Sequence, residues 1–499
     1  MDDSAATNFA TTAALLVSGG DERIVLDAVS GQSRYGCSPV PDADMAALGS
    51  STATNISAAA FAAAAALRAS CADQLRTEEA HLVYAREIER QRTALLNYCG
   101  FAPGDGIDVV LAASGTDIHL LAAALCQPRS TVLISACETG SGVPLALQGR
   151  HFNQYTACGE CVTAGVAIGD WHGTTHFIAS READGRLRIA EEVNADYADI
   201  VASAAAGGGP VLLALTDVSK TGMIAPGIAS VLALRAQWPG QLDVLVDGCQ
   251  FRLAPATVRA YLAQGFMVAL TGSKFMTGPT FCGALLIPPG FIDRKCAGRL
   301  PEALAAYSAA GDWPQRYAAG SALPALANFG LLLRWEAALS EMARFAAVDD
   351  AKRLAYLRRF GDDMRVLLWS TEFVEVLPVA AIDRGALGVC AGWDVEQTIF
   401  PFLLKDGDGG ILSCEKTLAI YRRLQSEGQG GRRFQLGQPV MCGQRDGRPI
   451  SALRFCASAR MVADACGGRQ RSDSVGGARA ALAAIGLLIK SANLIGEFG

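Results

Sequence analysis

An aspartate and a lysine at the ends of two successive apolar runs carry the strongest chemical signal in this sequence. Asp247 follows "LDVLV", and Lys274 follows "GFMVALTGS" 27 positions later. A carboxylate at the end of a buried strand is costly unless it is paired, and lysine is scarce, with seven copies in 499 residues. A lysine amine can form a Schiff base with an aldehyde, and an aspartate can keep a pyridine nitrogen protonated.

A third feature lies upstream of this pair. After the apolar run "IDVVLAAS", Gly115, Thr116 and Asp117 open a predicted helix. A strand, a turn of small residues and a helix N-terminus form a seat for a phosphate, because the backbone N–H groups and the helix dipole favour an anion. Taken alone the turn is equally typical of an ordinary helix cap. With Asp247 and Lys274 it predicts a pyridoxal phosphate site, in which Lys274 bonds the aldehyde.

The elements that must position these residues form a repeated pattern from about residue 107. Short apolar runs alternate with helical segments, which predicts an α/β fold with a mostly parallel sheet flanked by helices. Before it lies a helical stretch at 56–98, broken near 71–73, and after it a long helix beginning at Leu323. We expect three parts: an N-terminal arm at 1–55, a large cofactor-binding domain at 56–322, and a linking helix with a small α+β domain at 323–499.

The motifs "SGTD", "VDGCQ" and "GSKFMTGPTFCGALLIP" resemble those of the fold type I pyridoxal-phosphate-dependent enzymes, and most closely the cysteine desulfurase and class V aminotransferase group. The resemblance spans about residues 75–465. It implies that Gln250 bonds the ring oxygen and that the hydroxyl of Ser273 faces the phosphate. It also implies a homodimer with shared active sites, in which Ser321 reaches the phosphate of the neighbouring subunit.

The resemblance further implies an α-amino acid substrate. The late strand "ALRFCAS" contains Arg454, whose planar guanidinium suits a carboxylate. Arg34 in the N-terminal arm is the competing choice, because such arms also cover active sites. Lys220 is a rival Schiff-base lysine, but it precedes Asp247, which is the wrong order for this fold.

Two departures from the group affect the predicted reaction. The group has a Glu-His pair after its second strand, where this chain has Glu138 and Thr139, so the residue above the ring is unassigned; His119 is expected to pack within its helix. Cys390 and Cys414 do not lie in the group's reactive-cysteine loop. The sequence therefore predicts a C–S lyase of the β-elimination type or an aminotransferase, acting through a Schiff base and a carbanion. A decarboxylase or retro-aldol enzyme is the alternative, and a cofactor-binding regulator is the non-enzymatic one.

Composition excludes several other functions. A net charge of −6 without a basic run argues against nucleic-acid binding, and the Ala-rich stretch near residue 60 is too short to span a membrane. Acids near the N-terminus argue against an export signal. Fifteen cysteines without regular spacing are typical of a reducing cytoplasm. No metal site is expected, since the pair His172 and His176 falls in a turn and strand.

Overall fold

The computed structural model describes residues 9–426, 432–467 and 474–495. Its centre is a sheet of eight described strands in the order β2-β9-β8-β7-β5-β3-β4, with β6 paired to β5. The pairs β8–β7, β7–β5, β5–β3 and β3–β4 are parallel, whereas β9 runs antiparallel to both neighbours. The fold class predicted from the sequence is therefore confirmed.

The strands are β1 (Met45–Ala47), β2 (Asp108–Ala112), β3 (Ser130–Ile134), β4 (Thr174–Ile178), β5 (Val211–Asp217), β6 (Ile224–Ala225), β7 (Leu242–Gly248), β8 (Met267–Thr271), β9 (Gly283–Ile287), β10 (Val374–Val376), β11 (Ile399–Leu404), β12 (Arg433–Gln435), β13 (Gly437–Arg445) and β14 (Arg448–Cys456). The helices are α1 (Thr12–Leu16), α2 (Ala58–Gln74), α3 (Ala80–Tyr98), α4 (Gly115–Cys126), α5 (Val143–Leu147), α6 (Ala190–Ala206), α7 (Ile228–Gln237), α8 (Pro255–Ala263), α9 (Phe291–Cys296), α10 (Gln315–Ala318), α11 (Phe329–Ala346), α12 (Asp350–Trp369), α13 (Cys414–Ser426), α14 (Ala459–Cys466) and α15 (Ser474–Ile495).

The central sheet is buried on both faces. Successive side chains of a strand point to opposite faces, and on β5 Leu213 and Leu215 belong to one hydrophobic cluster while Leu212 and Ala214 belong to another. Two covered faces explain why these strands appear in the sequence as continuous apolar runs.

A second, antiparallel sheet in the order β10-β11-β14-β13 forms the C-terminal part. The N-terminal arm is tied to the C-terminal part of the chain, because β1 pairs in parallel with β12 in a separate two-stranded sheet. The arm therefore crosses from the large sheet to the C-terminal part.

Two helix boundaries differ from the sequence prediction. Helix α2 continues through residues 71–73 and ends at Gln74, since no glycine or proline interrupts it. The long helix α11 begins at Phe329 rather than Leu323. Its N-cap is Asn328, whose side chain accepts a hydrogen bond from the Leu331 N–H, and Pro324 keeps the preceding segment out of the helix.

In the described ranges, no helix combines the length and apolar character needed to cross a membrane.

Candidate active site

A cavity of about 310 Å³ lies beyond the carboxyl ends of the parallel strands, where ligands bind in open α/β sheets. It brings together residues from the strand ends, the N-terminal arm and the C-terminal sheet. The predicted site residues that line it are Lys274, Asp247, Gln250, Gly115, Thr116, Ser273, Arg454 and Arg34. Ser321 is not among the described lining residues.

Lys274 lies on the turn that follows β8. The turn is closed by a hydrogen bond from the Gly278 N–H to the Gly272 carbonyl. The Lys274 amine donates to the backbone carbonyl of Thr52 at 2.6 Å, across the cavity wall. Burial, followed by the nearby charges of Lys220 and Arg454, lowers the pKa of the amine to about 8. An amine of this pKa has a substantial neutral, nucleophilic fraction near neutral pH.

Asp247 lies at the end of β7, next to β8 in the sheet. Its carboxylate accepts hydrogen bonds from the Thr139 hydroxyl at 3.1 Å and from the Cys249 N–H at 3.2 Å. Burial opposes ionisation, but the charge and hydrogen bond of His119 outweigh it and hold the pKa of Asp247 well below its ordinary value. Asp247 is therefore a carboxylate at neutral pH, as pairing with a protonated ring nitrogen requires.

His119 connects the helix at the predicted phosphate seat to this carboxylate. Its Nδ1 lies 2.6 Å from the Gly115 carbonyl, and its Nε2 lies 3.4 Å from Asp247 Oδ2. Burial lowers the pKa of His119, but Asp247 reverses this effect and raises it overall. The sequence interpretation assigned His119 to helix packing alone. Its spacing of three residues from Thr116, one helical turn, was the signal for a second role.

The N-terminus of α4 opens into the cavity. Ser114 caps it, and its hydroxyl accepts hydrogen bonds from the N–H groups of Thr116 and Asp117. A Cβ on Gly115 would lie 3.1 Å from Cys249 Sγ, so only glycine fits this close approach without displacement. The Cys249 thiol has a pKa well above its ordinary value, because of burial and then Asp247.

Arg23 of the N-terminal arm lies over this helix end, a placement the sequence analysis missed. Its guanidinium donates to the hydroxyls of Ser114 and Thr116, each at 3.3 Å, and pairs with Asp21 at 2.5 Å. Burial, followed by the charge of Asp21, raises the pKa of Asp117 to about 7. Nothing in the residues near Arg23 predicts a contact with position 116, because only the tertiary path of the arm brings them together.

Arg454 lines the opposite side of the cavity. Its guanidinium donates to the Lys220 carbonyl at 2.9 Å, to the Thr52 hydroxyl at 3.0 Å and to the Gln438 carbonyl. It forms no ion pair with any described carboxylate, and burial lowers its pKa. A buried guanidinium held by neutral groups keeps its charge available for an anionic ligand.

Three predicted residues remain: one is buried in the cavity wall, one lies at its mouth and one lies outside it. The Gln250 amide donates to the Ser51 carbonyl at 3.0 Å, and its Oε1 has no hydrogen-bond partner in the described chain. Arg34 is exposed at the cavity mouth. The Ser321 hydroxyl donates to the Ala318 carbonyl at 2.9 Å, one turn back, and does not face this cavity.

The comparisons with known proteins concern the fold. No protein-family model and no curated protein matches the sequence, but solved structures do match. A NifS-like protein from Rickettsia africae ESF-5 aligns with a TM-score of 0.54 and 11% identity, over 89% of this chain and 99% of that chain. C-DES, a cystine C–S lyase solved as a mutant with glycine covalently linked to pyridoxal phosphate, aligns with a TM-score of 0.52 and 15% identity, over 89% and 99%.

A third structure is the glutamate decarboxylase domain of a diaminobutyrate-pyruvate transaminase and L-2,4-diaminobutyrate decarboxylase from Vibrio parahaemolyticus. Its TM-score is 0.50 and its identity is 13%, over 88% of this chain and 79% of that chain. The fold is fold type I. In C-DES, an architecture that this chain matches over most of its length carries pyridoxal phosphate.

The residues that line the cavity also fit such a cofactor by their charge and hydrogen-bonding capacity. Counting the described lining residues, five side chains are cationic and two are carboxylates, so the cavity favours anions: Arg23, Arg34, Lys220, Lys274 and Arg454 against Glu138 and Asp247. A buried polar atom that borders it, Gln250 Oε1, lacks a hydrogen-bond partner in the described chain. A flat ring bearing a phosphate and a polar substituent supplies both the missing negative charge and the missing polar partner.

Proposed function

We propose that this protein is a pyridoxal-phosphate-dependent enzyme that acts on an α-amino acid, as a C–S lyase of the β-elimination type or an aminotransferase. The observation that carries the proposal is the convergence of Lys274, Asp247 and the α4 N-terminus on one cavity. The cavity also contains Arg454, which is buried and forms no ion pair with any described carboxylate. Pyridoxal phosphate, when bound, supplies an electron-withdrawing ring that stabilises negative charge at the substrate Cα.

The residues divide into a set that holds the cofactor and a set that holds the substrate. Lys274 would bond the cofactor aldehyde, Asp247 the ring nitrogen and Gln250 the ring oxygen. The phosphate would lie at the N-terminus of α4, against Gly115, Thr116 and Ser273. Arg23, which already donates to Thr116, supplies a cation at that point.

Arg454 would hold the substrate carboxylate, with Arg34 at the mouth as the competing cation. A bidentate guanidinium fixes the orientation of a carboxylate, and this orientation decides which bond at Cα lies perpendicular to the ring. The Lys274 amine, whose pKa burial lowers to about 8, would be the group that accepts a proton from the substrate Cα. Proton removal at Cα is required for β-elimination and for amino transfer.

A persulfide-forming desulfurase is not favoured. Cys390 is exposed and Cys414 half-buried, and neither lines the cavity among the described residues. The lining thiol, Cys249, has a pKa raised far above neutrality, so it is not a nucleophilic thiolate. We therefore place the protein among reactions that need no cysteine.

We further propose a homodimer, in which Ser321 contributes to the phosphate site of the partner, and a cytoplasmic location. The support for the dimer is the motif resemblance together with the position of Ser321 outside the cavity of its own chain. A decarboxylase is the second candidate, favoured by the decarboxylase domain that shares the fold.

One experiment separates these reactions. The protein is loaded with pyridoxal phosphate, titrated with a panel of amino acids while its visible spectrum is recorded, and the products are identified by mass. A lyase yields a 2-oxo acid with ammonia and a thiol. An aminotransferase, given a second 2-oxo acid as amino acceptor, yields a 2-oxo acid that keeps the substrate side chain, and a decarboxylase yields an amine and carbon dioxide. Absence of any cofactor band would contradict the proposal as a whole.

A further inference from the structure

Lys220 is a second lysine in the cavity, and its place in the fold is fixed. It follows β5, which neighbours β7 on the side opposite β8. Lys220 and Lys274 therefore flank the strand of Asp247 from both sides. The Lys220 backbone is held at both ends, since its N–H donates to the Glu138 carbonyl at 3.0 Å and its carbonyl accepts from Arg454 at 2.9 Å.

The Lys220 amine has no direct polar partner among the described residues, although the charges of Glu138 and Asp247 partly offset the effects that lower its pKa. This amine lines the cavity and makes no hydrogen bond or ion pair within the described part of the chain. The nearby carboxylate of Glu138 is engaged instead by the hydroxyls of Ser219 and Thr221 and lies 3.6 Å from Arg181. Burial, followed by the charge of Arg454, lowers the pKa of Lys220 to about 8. A cation in this position gains from any anion that enters the cavity.

Apart from Arg34, which is exposed at the cavity mouth, the other cations are already assigned by the proposed function. Lys274 bonds the cofactor, Arg23 pairs with Asp21 beside the phosphate seat, and Arg454 holds the substrate α-carboxylate. Lys220 lies beside Arg454. A substrate with one negative charge would pair with Arg454 and leave Lys220 without a partner. A substrate with a second acidic group would supply that partner.

We propose that Lys220 forms a second anion-binding subsite beside Arg454, and that the substrate is an α-amino acid whose side chain carries a carboxylate or a similar acidic group. This inference rests on the proposed function and deepens it by naming the substrate class. Lys220 is a substrate-binding and specificity residue, distinct from the lysine that bonds the cofactor.

The first test measures binding without turnover. Cofactor-loaded protein is titrated calorimetrically with succinate and with succinamate, a dicarboxylate and its monoamide that lack the reacting amine. In the wild type, succinate should bind at least about tenfold more tightly, as expected for a charged hydrogen bond. Lys220→Met should abolish this preference while keeping the cofactor absorption band. Lys352→Met, which removes an exposed lysine, is the matched control and should leave the preference intact.

The second test uses amino acids and the cofactor spectrum. Aspartate and glutamate should perturb the band at concentrations about tenfold lower than asparagine and glutamine, and Lys220→Met should remove the difference. Equal affinities in the wild type, or a preference that survives Lys220→Met, would overturn the subsite and leave the proposed function standing if neutral amino acids still perturb the band. If no amino acid perturbs it, the proposed function fails, and the subsite fails with it.

Discussion

The two sides of the cavity are built in different ways. One side consists of neighbouring strand ends. Asp247 lies at the end of β7, and Lys274 follows β8, which is the next strand both along the chain and in the sheet. The other side is assembled from remote segments, as in the hydrogen bond from Arg454 to the Thr52 hydroxyl, which joins residues 402 positions apart. The first side depends on local sequence pattern, and the second depends on the whole fold.

This difference separates two kinds of chemistry. The strand-end side holds the groups that any use of the cofactor needs, and their positions follow from sheet topology. The remote side holds Arg454 and Arg34, which would meet the substrate together with Lys220, which follows β5. Variants on the strand-end side should therefore affect the cofactor, and variants on the remote side should affect substrate choice.

The largest effect is expected for Lys274→Ala. Loss of the amine that bonds the cofactor should remove the visible absorption band that borohydride bleaches in the wild type, and should reduce turnover by at least about 10³-fold, as for the loss of other covalent nucleophiles. The measurement is the spectrum before and after borohydride addition. Lys220→Ala is the control and should keep the band. If Lys220→Ala loses it and Lys274→Ala does not, the assignment of the two lysines is reversed.

The placement of the strand-end residues in the fold was predictable from the sequence and that of the remote residues only in part, while the roles of both sets stay predictions. Asp247, Lys274 and Gly115 were found because each follows an apolar run that becomes a buried strand. Arg454 was found through motif resemblance, since a strand arginine has no local feature that distinguishes it from a surface residue. Arg23 and Thr52 were missed, because the path of the arm depends on the pairing of β1 with β12, more than 380 positions later in the chain.

His119 shows a third situation. The helix that contains it was correctly predicted, but the side chain was expected to pack within that helix, and its direction toward Asp247 was not predicted. That direction depends on how α4 lies against the sheet, and it places Nε2 3.4 Å from Asp247.

The next effect concerns Arg454 and tests the remote side. Arg454→Lys should weaken binding of the amino acid by roughly 10- to 100-fold, corresponding to about 1.5–3 kcal/mol for a charged hydrogen bond, while the cofactor stays bound. Spectral titration with an amino acid and with the amine that lacks its carboxylate isolates the contact, because only the amino acid should lose affinity.

Arg34→Ala serves as the comparison for Arg454→Lys. It should leave the affinity within about twofold of the wild type, because an exposed cation contributes little to binding. If Arg34→Ala shows the carboxylate-dependent loss and Arg454→Lys does not, then the arm, and not the C-terminal strand, holds the substrate.

A smaller effect is expected on stability from His119→Asn. The pKa of His119 is raised above its ordinary value of 6.5, so its stabilisation is complete below pH 6.5 and is lost as pH rises through the raised pKa. The pKa of Asp247 is lowered, so its contribution is lost only in acid and is constant in this range. Denaturant unfolding should give a free-energy loss of roughly 1.5 kcal/mol at pH 6 that shrinks toward higher pH.

The difference in unfolding free energy between wild type and His119→Asn cancels the contributions of other titrating groups. Lys220 and Lys274 have pKa values lowered to about 8 and contribute stability that rises above that pH, but they do so equally in wild type and variant. His81→Asn, at a half-exposed position, is the control and should show no comparable loss. A loss for His119→Asn that is the same at every pH would contradict a charged pair with Asp247.

The smallest effect tests whether the cavity has a third side, contributed by a second subunit. Ser321→Ala should weaken pyridoxal phosphate binding about fivefold, equivalent to one hydrogen bond of roughly 1 kcal/mol, and should leave the binding of pyridoxal, which has no phosphate, unchanged. Ser370→Ala is matched, because the Ser370 hydroxyl also donates to a carbonyl three residues back, that of Leu367 at 3.0 Å, and it should bind both ligands normally. Sedimentation at the assay concentration should give a dimer for all variants. Since the Ser321 hydroxyl does not face the cavity of its own chain, a loss of affinity that is specific to the phosphate requires a second subunit. An active monomer, or equal losses of affinity for both ligands, would contradict a contribution of Ser321 from a partner subunit.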